Sequence, residues 1–145
     1  MYKRILLAYD GSKSGQQALL ECGEIAQWSH AALTLLAVTP LYMDVIGVEG
    51  GIYDRNLAEQ QQEKYQDILD DGLRQLVEAG HHADGEVLLG DIIEEVTKTA
   101  RKIDADLIVV GHKHVDGWAA RWWRGSISKS LIEESPCSVL VVIIH

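Results

Sequence analysis

Two stretches of the chain combine glycine with polar side chains that can hold an anion or a metal ion. Asp10, Gly11 and Ser12 follow a short apolar run, and Gly125 and Ser126 precede a predicted helix. At the start of a helix, a glycine lets backbone N–H groups approach an anion, and a serine hydroxyl adds a donor. The same residues also suit a plain turn and a helix cap, so their spacing alone leaves both interpretations open.

The segment 111–126, GHKHVDGWAARWWRGS, is unusually rich in aromatic and basic side chains. His112 and His114 alternate, so on an extended chain they would share a side, but no third metal ligand is evident nearby. We therefore expect imidazoles that face solvent or a phosphate. The three tryptophans suit a core or dimer surface better than base stacking, and the arginines can pair with phosphate or stack on indole. These residues are Trp118, Trp122, Trp123, Arg121 and Arg124.

Three familiar catalytic or phosphate-binding motifs are missing. The stretch that begins at Asp10 lacks the lysine that a P-loop places after its second glycine, and no G-x-G-x-x-G follows the first apolar run. No G-x-S-x-G marks a nucleophilic serine. Any nucleotide site must therefore be built in another way.

Five apolar runs alternate with helical patterns along the chain. Continuous apolar runs predict strands that are covered on both faces, and alternation with helices predicts a parallel α/β sheet with helices on both faces. In such sheets the ligand crevice lies beyond the carboxyl ends of the strands. The ends of the first, second and fourth strands should therefore form the site. The predicted strands are 5–9, 33–38, 86–89, 106–110 and 139–144.

The helical segments carry their own boundary signals. Ser14 and Gln17 have the spacing of a capping box for the first helix, and Asp91 is placed to cap the third. The second helix should begin at Asn56 and end near Gly80, after a long loop over residues 41–55. Its apolar face is predicted to comprise Tyr65, Ile68, Leu69, Leu73, Leu76 and Val77.

Length and composition exclude several classes of protein. The 145 residues suit a single domain, 1–145, and the net charge of −9 argues against a nucleic-acid partner. We expect no signal peptide and no membrane span, hence a cytoplasmic protein. Cys22 and Cys137 are too few for a disulfide framework and lack basic neighbours, so both are expected to be structural.

Four motifs in order resemble the universal stress protein family. These are ILLAYDGS at residues 5–12, DLIVVGH at 106–112, Gly125-Ser126, and PCSVLVV at 136–142. The resemblance covers essentially the whole chain. It implies a five-stranded parallel sheet of Rossmann-like, adenine-nucleotide-binding topology and a homodimer paired through the last strand. The residues implied in pairing are Val139, Leu140, Val141, Val142 and Ile143.

The resemblance also implies a nucleotide site, with ATP and its Mg²⁺ as the expected ligands. Asp10 would face the ribose or the metal ion, the Val38 backbone would read the adenine edge, and Gly111 would touch the ribose. Backbone N–H groups at the start of the last helix would hold the phosphates. The full expected set is Asp10, Gly11, Ser12, Val38, Gly111, His112, His114, Arg124, Gly125, Ser126 and Ile127.

The chain departs from the family's ATP-binding pattern, G-x2-G-x9-G-[ST], at one point. Gly111 and Gly125-Ser126 match its ends, but His114 stands at the second glycine, and ten residues instead of nine follow it. A side chain there can obstruct a phosphate or replace a backbone contact with an imidazole donor.

Three functions follow from the sequence. The favoured hypothesis is a stress-response regulator that binds an adenine nucleotide as a homodimer, with an unidentified protein partner. The alternative is a dimeric stress protein of the branch that binds no nucleotide and acts through protein contacts. The third is a slow ATPase or adenylate-forming relative, for which no general base or nucleophile is evident.

Overall fold

The computed structural model describes residues 1–40, 55–113 and 126–144, which form five strands and four helices. The segments 41–54 and 114–125 and residue 145 lie outside the described residues. In chain order the elements are β1 Arg4–Ala8, α1 Lys13–Ser29, β2 Ala32–Thr39, α2 Arg55–Glu78, β3 Asp84–Leu89, α3 Ile92–Lys102, β4 Leu107–Lys113, α4 Ser126–Glu134 and β5 Ser138–Ile144.

The five strands form one parallel sheet in the order β3-β2-β1-β4-β5, which confirms the predicted fold class. β1 lies at the centre, where Ala8 pairs with Leu36 of β2 on one side and with Val110 of β4 on the other. The chain leaves β1 towards β2 and leaves β4 towards β5, so the connections diverge between the two central strands. This divergence creates the crevice expected of a doubly wound sheet.

The apolar core forms two layers, one on each face of the sheet. Alternate residues of β1 point to opposite faces, so Ile5 and Leu7 pack with α1 and α2, whereas Leu6 packs with α3 and α4. All three side chains are fully buried. The predicted continuous apolar runs are thus strands covered on both faces.

Several predicted boundaries differ from the structure, and two of the differences have a clear physical reason. The cap of α1 is Ser12, not Ser14, because the Ser12 side chain accepts a hydrogen bond from the Gly15 N–H. The fourth strand does not end at Val110 but continues to Lys113, because β5 runs alongside it as far as Ile144. The predicted cap of α3 at Asp91 is confirmed by its hydrogen bond from the Glu94 N–H.

The second helix packs through a narrower face than predicted. Leu69 and Leu76 are buried, and Tyr65, Ile68 and Leu73 pack against the core beside them. Val77 is 65% exposed, so its predicted place in the apolar face is wrong. It follows Leu76 directly and is therefore rotated about 100° around the helix axis, away from the sheet.

Both cysteines have the environment of structural residues. Cys22 is fully buried, and burial raises the pKa of its thiol to about 12. Burial also raises the pKa of the Cys137 thiol, which lies against the Ser135 hydroxyl. Neither group favours the reactive thiolate.

Among the residues described, no helix is long and apolar enough to cross a membrane.

Candidate functional site

The carboxyl ends of β1, β2 and β4 bring three predicted site residues to one edge of the sheet. Asp10 follows β1 by two residues, Val38 lies near the end of β2, and Gly111 lies in β4. Since Ala8 pairs with both Leu36 and Val110, the three positions reach similar heights on neighbouring strands. Residues distant in sequence therefore lie at the same edge of the sheet, as predicted.

The Asp10 carboxylate lies over the amino terminus of α1. Its Oδ1 atom accepts hydrogen bonds from the Ser12 N–H at 3.0 Å and the Ser12 hydroxyl at 2.6 Å. Ser12 Oγ in turn accepts from the Gly15 N–H at 3.0 Å. Because the only hydroxyl hydrogen of Ser12 goes to Asp10, the Ser14 hydroxyl donates to Ser12 Oγ at 3.1 Å. The turn thus links the carboxylate to the first helical turn.

The amino termini of α1 and α4 therefore differ in how well they can bind an anion. At α1, the positive end of the helix already faces the Asp10 carboxylate, which repels a second anion. No described residue donates to Asp10 Oδ2, so that oxygen can accept from a sugar hydroxyl or contact a cation. At this edge, an anionic ligand is better placed at the start of α4, which begins at Ser126.

Gly111 is required by packing between β4 and α1. A Cβ atom at this position would lie 2.3 Å from the Ser14 carbonyl oxygen and 2.7 Å from the Gly15 nitrogen. Both neighbours are backbone atoms, which cannot rotate away. A close approach of helix and strand therefore accounts for this glycine without any ligand, and the ribose contact stays a prediction.

The end of β2 offers backbone groups to the crevice. Pairing between β1 and β2 ends where the Tyr9 N–H donates to the Leu36 carbonyl at 2.8 Å. Backbone groups of alternate residues in a strand point to the same neighbour, so the N–H and C=O of Val38 also face the β1 side, beyond that last bond. The Val38 side chain belongs to the same buried apolar cluster as Leu36 and Val110, on the α3–α4 face. Val38 can therefore offer one donor and one acceptor without moving its side chain.

The remaining predicted residues divide into placed and undescribed positions. Gly11 adopts a positive φ of 78° in the turn after β1, which glycine adopts without strain. His112 is half-buried in β4, opposite Ile143 of β5. Ser126 and Ile127 lie in the first turn of α4, and their contact with phosphate stays a prediction. His114, Arg124 and Gly125 lie outside the described residues, as do Trp118, Trp122, Trp123 and Arg121.

Sequence reasoning missed the contribution of α2 to this edge. A cleft of about 480 Å³ lies between the end of β1 and α2, beside Asp10. Its lining residues are Tyr9, Gly11, Gln60, Glu63, Lys64, Asp67, Ile68 and Asp71. The carboxylates of Glu63, Asp67 and Asp71 are spaced four residues apart and therefore lie along one side of α2. The spacing of these carboxylates can be read from the sequence. That they face the end of β1 cannot, because it depends on how α2 packs on the sheet.

The hydroxyl of Tyr9 lies among negative charges in this cleft. Burial raises its pKa, the carboxylates of Asp71 and Asp10 raise it further, and a hydrogen bond with Gln75 opposes them. Burial and the charge of Asp10 likewise raise the pKa of Tyr65. Both phenols therefore stay neutral hydrogen-bonding groups at physiological pH.

Within the described residues, Asp10 is not part of a ready-made metal site. In the described ranges, no three His, Cys, Asp or Glu side chains converge as metal ligands.

Comparison with known proteins gives one consistent result. The family model described as the universal stress protein family matches residues 1–142. A putative universal stress protein of Staphylococcus saprophyticus is 30% identical, over 97% of this chain and 83% of its own length.

Two solved structures show the same fold. A universal stress protein family member from Burkholderia pseudomallei has 27% identity and a TM-score of 0.75, covering 97% of this chain and 96% of its own. A universal stress protein solved in complex with cAMP has 24% identity and a TM-score of 0.66, covering 98% and 97%. With the family model matching nearly its whole length, the chain belongs to the universal stress protein family.

Proposed function

We propose that this protein is a stress-response regulator that binds an adenine nucleotide, with ATP as the expected ligand, at the carboxyl edge of its sheet. The observation that carries the proposal is the sheet topology, in which Asp10 follows β1, Val38 lies near the end of β2, and α4 follows β4 on the other side of the point where the connections diverge. These groups would provide, respectively, an acceptor for ribose, a donor and an acceptor for the base, and N–H groups for phosphate.

The charges at the two helix starts support one orientation of the nucleotide. Asp10 already faces the start of α1, so the phosphates belong at α4, and the base then lies towards β2. Mg²⁺ carried by the phosphates would meet the Asp10 carboxylate, a hard oxygen ligand that suits it. Relatives of the same fold, at 15–24% identity, have been solved with cAMP, AMP and dAMP.

Calorimetric titration with ATP and with AMP, each with and without Mg²⁺, tests the proposal. Asp10→Asn keeps the shape of the side chain and removes its charge. We expect it to weaken binding of ATP with Mg²⁺ by about tenfold, as loss of one charged contact does. Without Mg²⁺ the loss should be smaller or reversed, because the carboxylate then repels the phosphates. Asp91→Asn, at the cap of α3, is the matched control and should leave affinity unchanged.

The titration also separates the alternatives. Absence of binding at millimolar nucleotide would reject this function and favour the branch that acts through protein contacts. Unchanged affinity in Asp10→Asn would mean that the site lies elsewhere. Release of ADP or pyrophosphate by the wild type, abolished in Asp10→Asn, would support the enzyme hypothesis instead.

We further propose that two copies pair through β5. This strand lies at an edge of the sheet, and apolar side chains remain uncovered there, with Ile143 53% exposed and the nearby Ile132 63% exposed. An exposed apolar edge strand is normally covered or paired. Analytical ultracentrifugation should show a dimer at micromolar concentration and a monomer for Ile143→Lys; a monomeric wild type would reject the pairing.

A further inference from the structure

Thr39, the last residue of β2, carries a buried hydroxyl that the fold does not use. The residue is 3% exposed, and its Oγ1 atom has no hydrogen-bond partner in the part of the chain that the structure describes. Its backbone carbonyl, by contrast, accepts from the Gly90 N–H at 3.0 Å. The unmet hydrogen-bonding capacity therefore belongs to the side chain alone.

Packing gives no reason for a hydroxyl here. Thr39 shares one face of β2 with Leu33, Leu35 and Ala37, all of which are buried and apolar. Valine has nearly the same shape as threonine and would fill the position without burying an unpaired polar atom, which destabilises a fold. A hydrogen-bonding partner from outside the fold would account for threonine at this position.

The position of Thr39 identifies what that partner can be. It follows Val38 directly at the carboxyl edge, one strand from β1 and two strands from β4. Strands are about 4.8 Å apart, so a nucleotide with phosphates at β4 and ribose at β1 extends its base to β2. A hydroxyl can both donate and accept, as the polar edge of a purine requires.

We propose that the Thr39 hydroxyl hydrogen-bonds the base of the bound nucleotide and contributes to base selectivity, an inference that rests on the proposed function. Oγ1 is covered in this structure, so contact with the base would require a local movement of the atoms over it. Thr39 would act together with the Val38 backbone, which faces the crevice from the same strand end.

Calorimetry with two probes, AMP and purine riboside 5′-monophosphate, which lacks the exocyclic amino group, tests this inference. Thr39→Val should weaken AMP binding about five- to tenfold, the usual effect of losing one neutral hydrogen bond. It should also change the ratio of the two affinities. Thr39→Ser, which keeps the hydroxyl, should bind AMP within twofold of the wild type. Thr34→Val is the matched control, since it makes the same change in β2 about 16 Å away.

Urea unfolding of the ligand-free variants provides an independent readout. Thr39→Val should be as stable as the wild type or more stable, because it removes an unpaired buried hydroxyl. A marked loss of stability would show that the hydroxyl already has a partner within the protein, and would overturn the inference.

The binding results distinguish this inference from the proposed function. If the wild type binds AMP and Thr39→Val binds equally well with an unchanged ratio, only the role of Thr39 is overturned. If the wild type binds neither probe, the nucleotide site itself is rejected, and the role of Thr39 with it.

Discussion

Replacement of Gly111 by alanine should strongly destabilise the fold, although the residue sits in a regular strand. The added Cβ would lie 2.3 Å from the Ser14 carbonyl oxygen and 2.4 Å from the Ser14 carbonyl carbon, far inside normal contact distance. Relief requires α1 and β4 to separate by about 1 Å, because both contacting atoms belong to backbone. Overpacking usually costs 1–3 kcal/mol, and we expect about 3 kcal/mol here.

The assay is thermal and urea unfolding of Gly111→Ala, with Gly80→Ala as the control. For a domain of this size, about 3 kcal/mol corresponds to a Tm lowered by about 6–12 °C. Gly80 has a φ of +87° and no atom within 4 Å of an added Cβ, so alanine there costs only backbone strain, about 1 kcal/mol. A Gly111→Ala protein within 0.5 kcal/mol of the wild type would refute the close packing of α1 on β4.

Three further predictions concern caps, charge and thiols. Ser12→Ala should lower the free energy of unfolding by about 1 kcal/mol, because it removes the cap of α1, and this loss should exceed that of Ser14→Ala. A larger loss for Ser14→Ala in urea unfolding would support the predicted capping box at Ser14 instead. Partial burial acts to raise the pKa of Asp106, but the N–H groups of Lys3 and Arg4 outweigh it and lower the pKa. Its stabilisation is therefore present above the unfolded-state pKa and is lost as the pH falls through the lower folded-state value. Asp106→Asn should lower the urea midpoint at pH 7, and the midpoint of this variant should decrease less than that of the wild type as the pH is lowered below about 4. A wild-type pH dependence in the variant would contradict this. Cys137 should react with a thiol reagent faster than the fully buried Cys22, which should react only on unfolding; equal rates in the native protein would contradict the burial of Cys22.

Most of the fold could be predicted from sequence because its signals are local. Continuous apolar runs such as 33–38 predict strands covered on both faces, and Asp91 caps a helix through a residue three positions away. The gathering of Asp10, Val38 and Gly111 at one edge followed from the same reasoning, since parallel strands place their carboxyl ends together. The cleft between β1 and α2 and the unpaired Thr39 hydroxyl could not be predicted in this way. Both depend on how elements distant in sequence pack against each other.

By itself, then, the sequence determined the order of elements, the parallel sheet and the family, because apolar periodicity and short motifs need only neighbouring residues. Tertiary structure did not decide the cap of α1, since Ser12 contacts residues only two and three positions away. It decided that β4 extends to Lys113, because β5 supplies partners from 31 residues further along the chain. It also decided that Gly111 faces backbone, a contact between residues 97 positions apart. Such contacts are fixed only when the sheet closes and brings distant backbone segments within van der Waals distance.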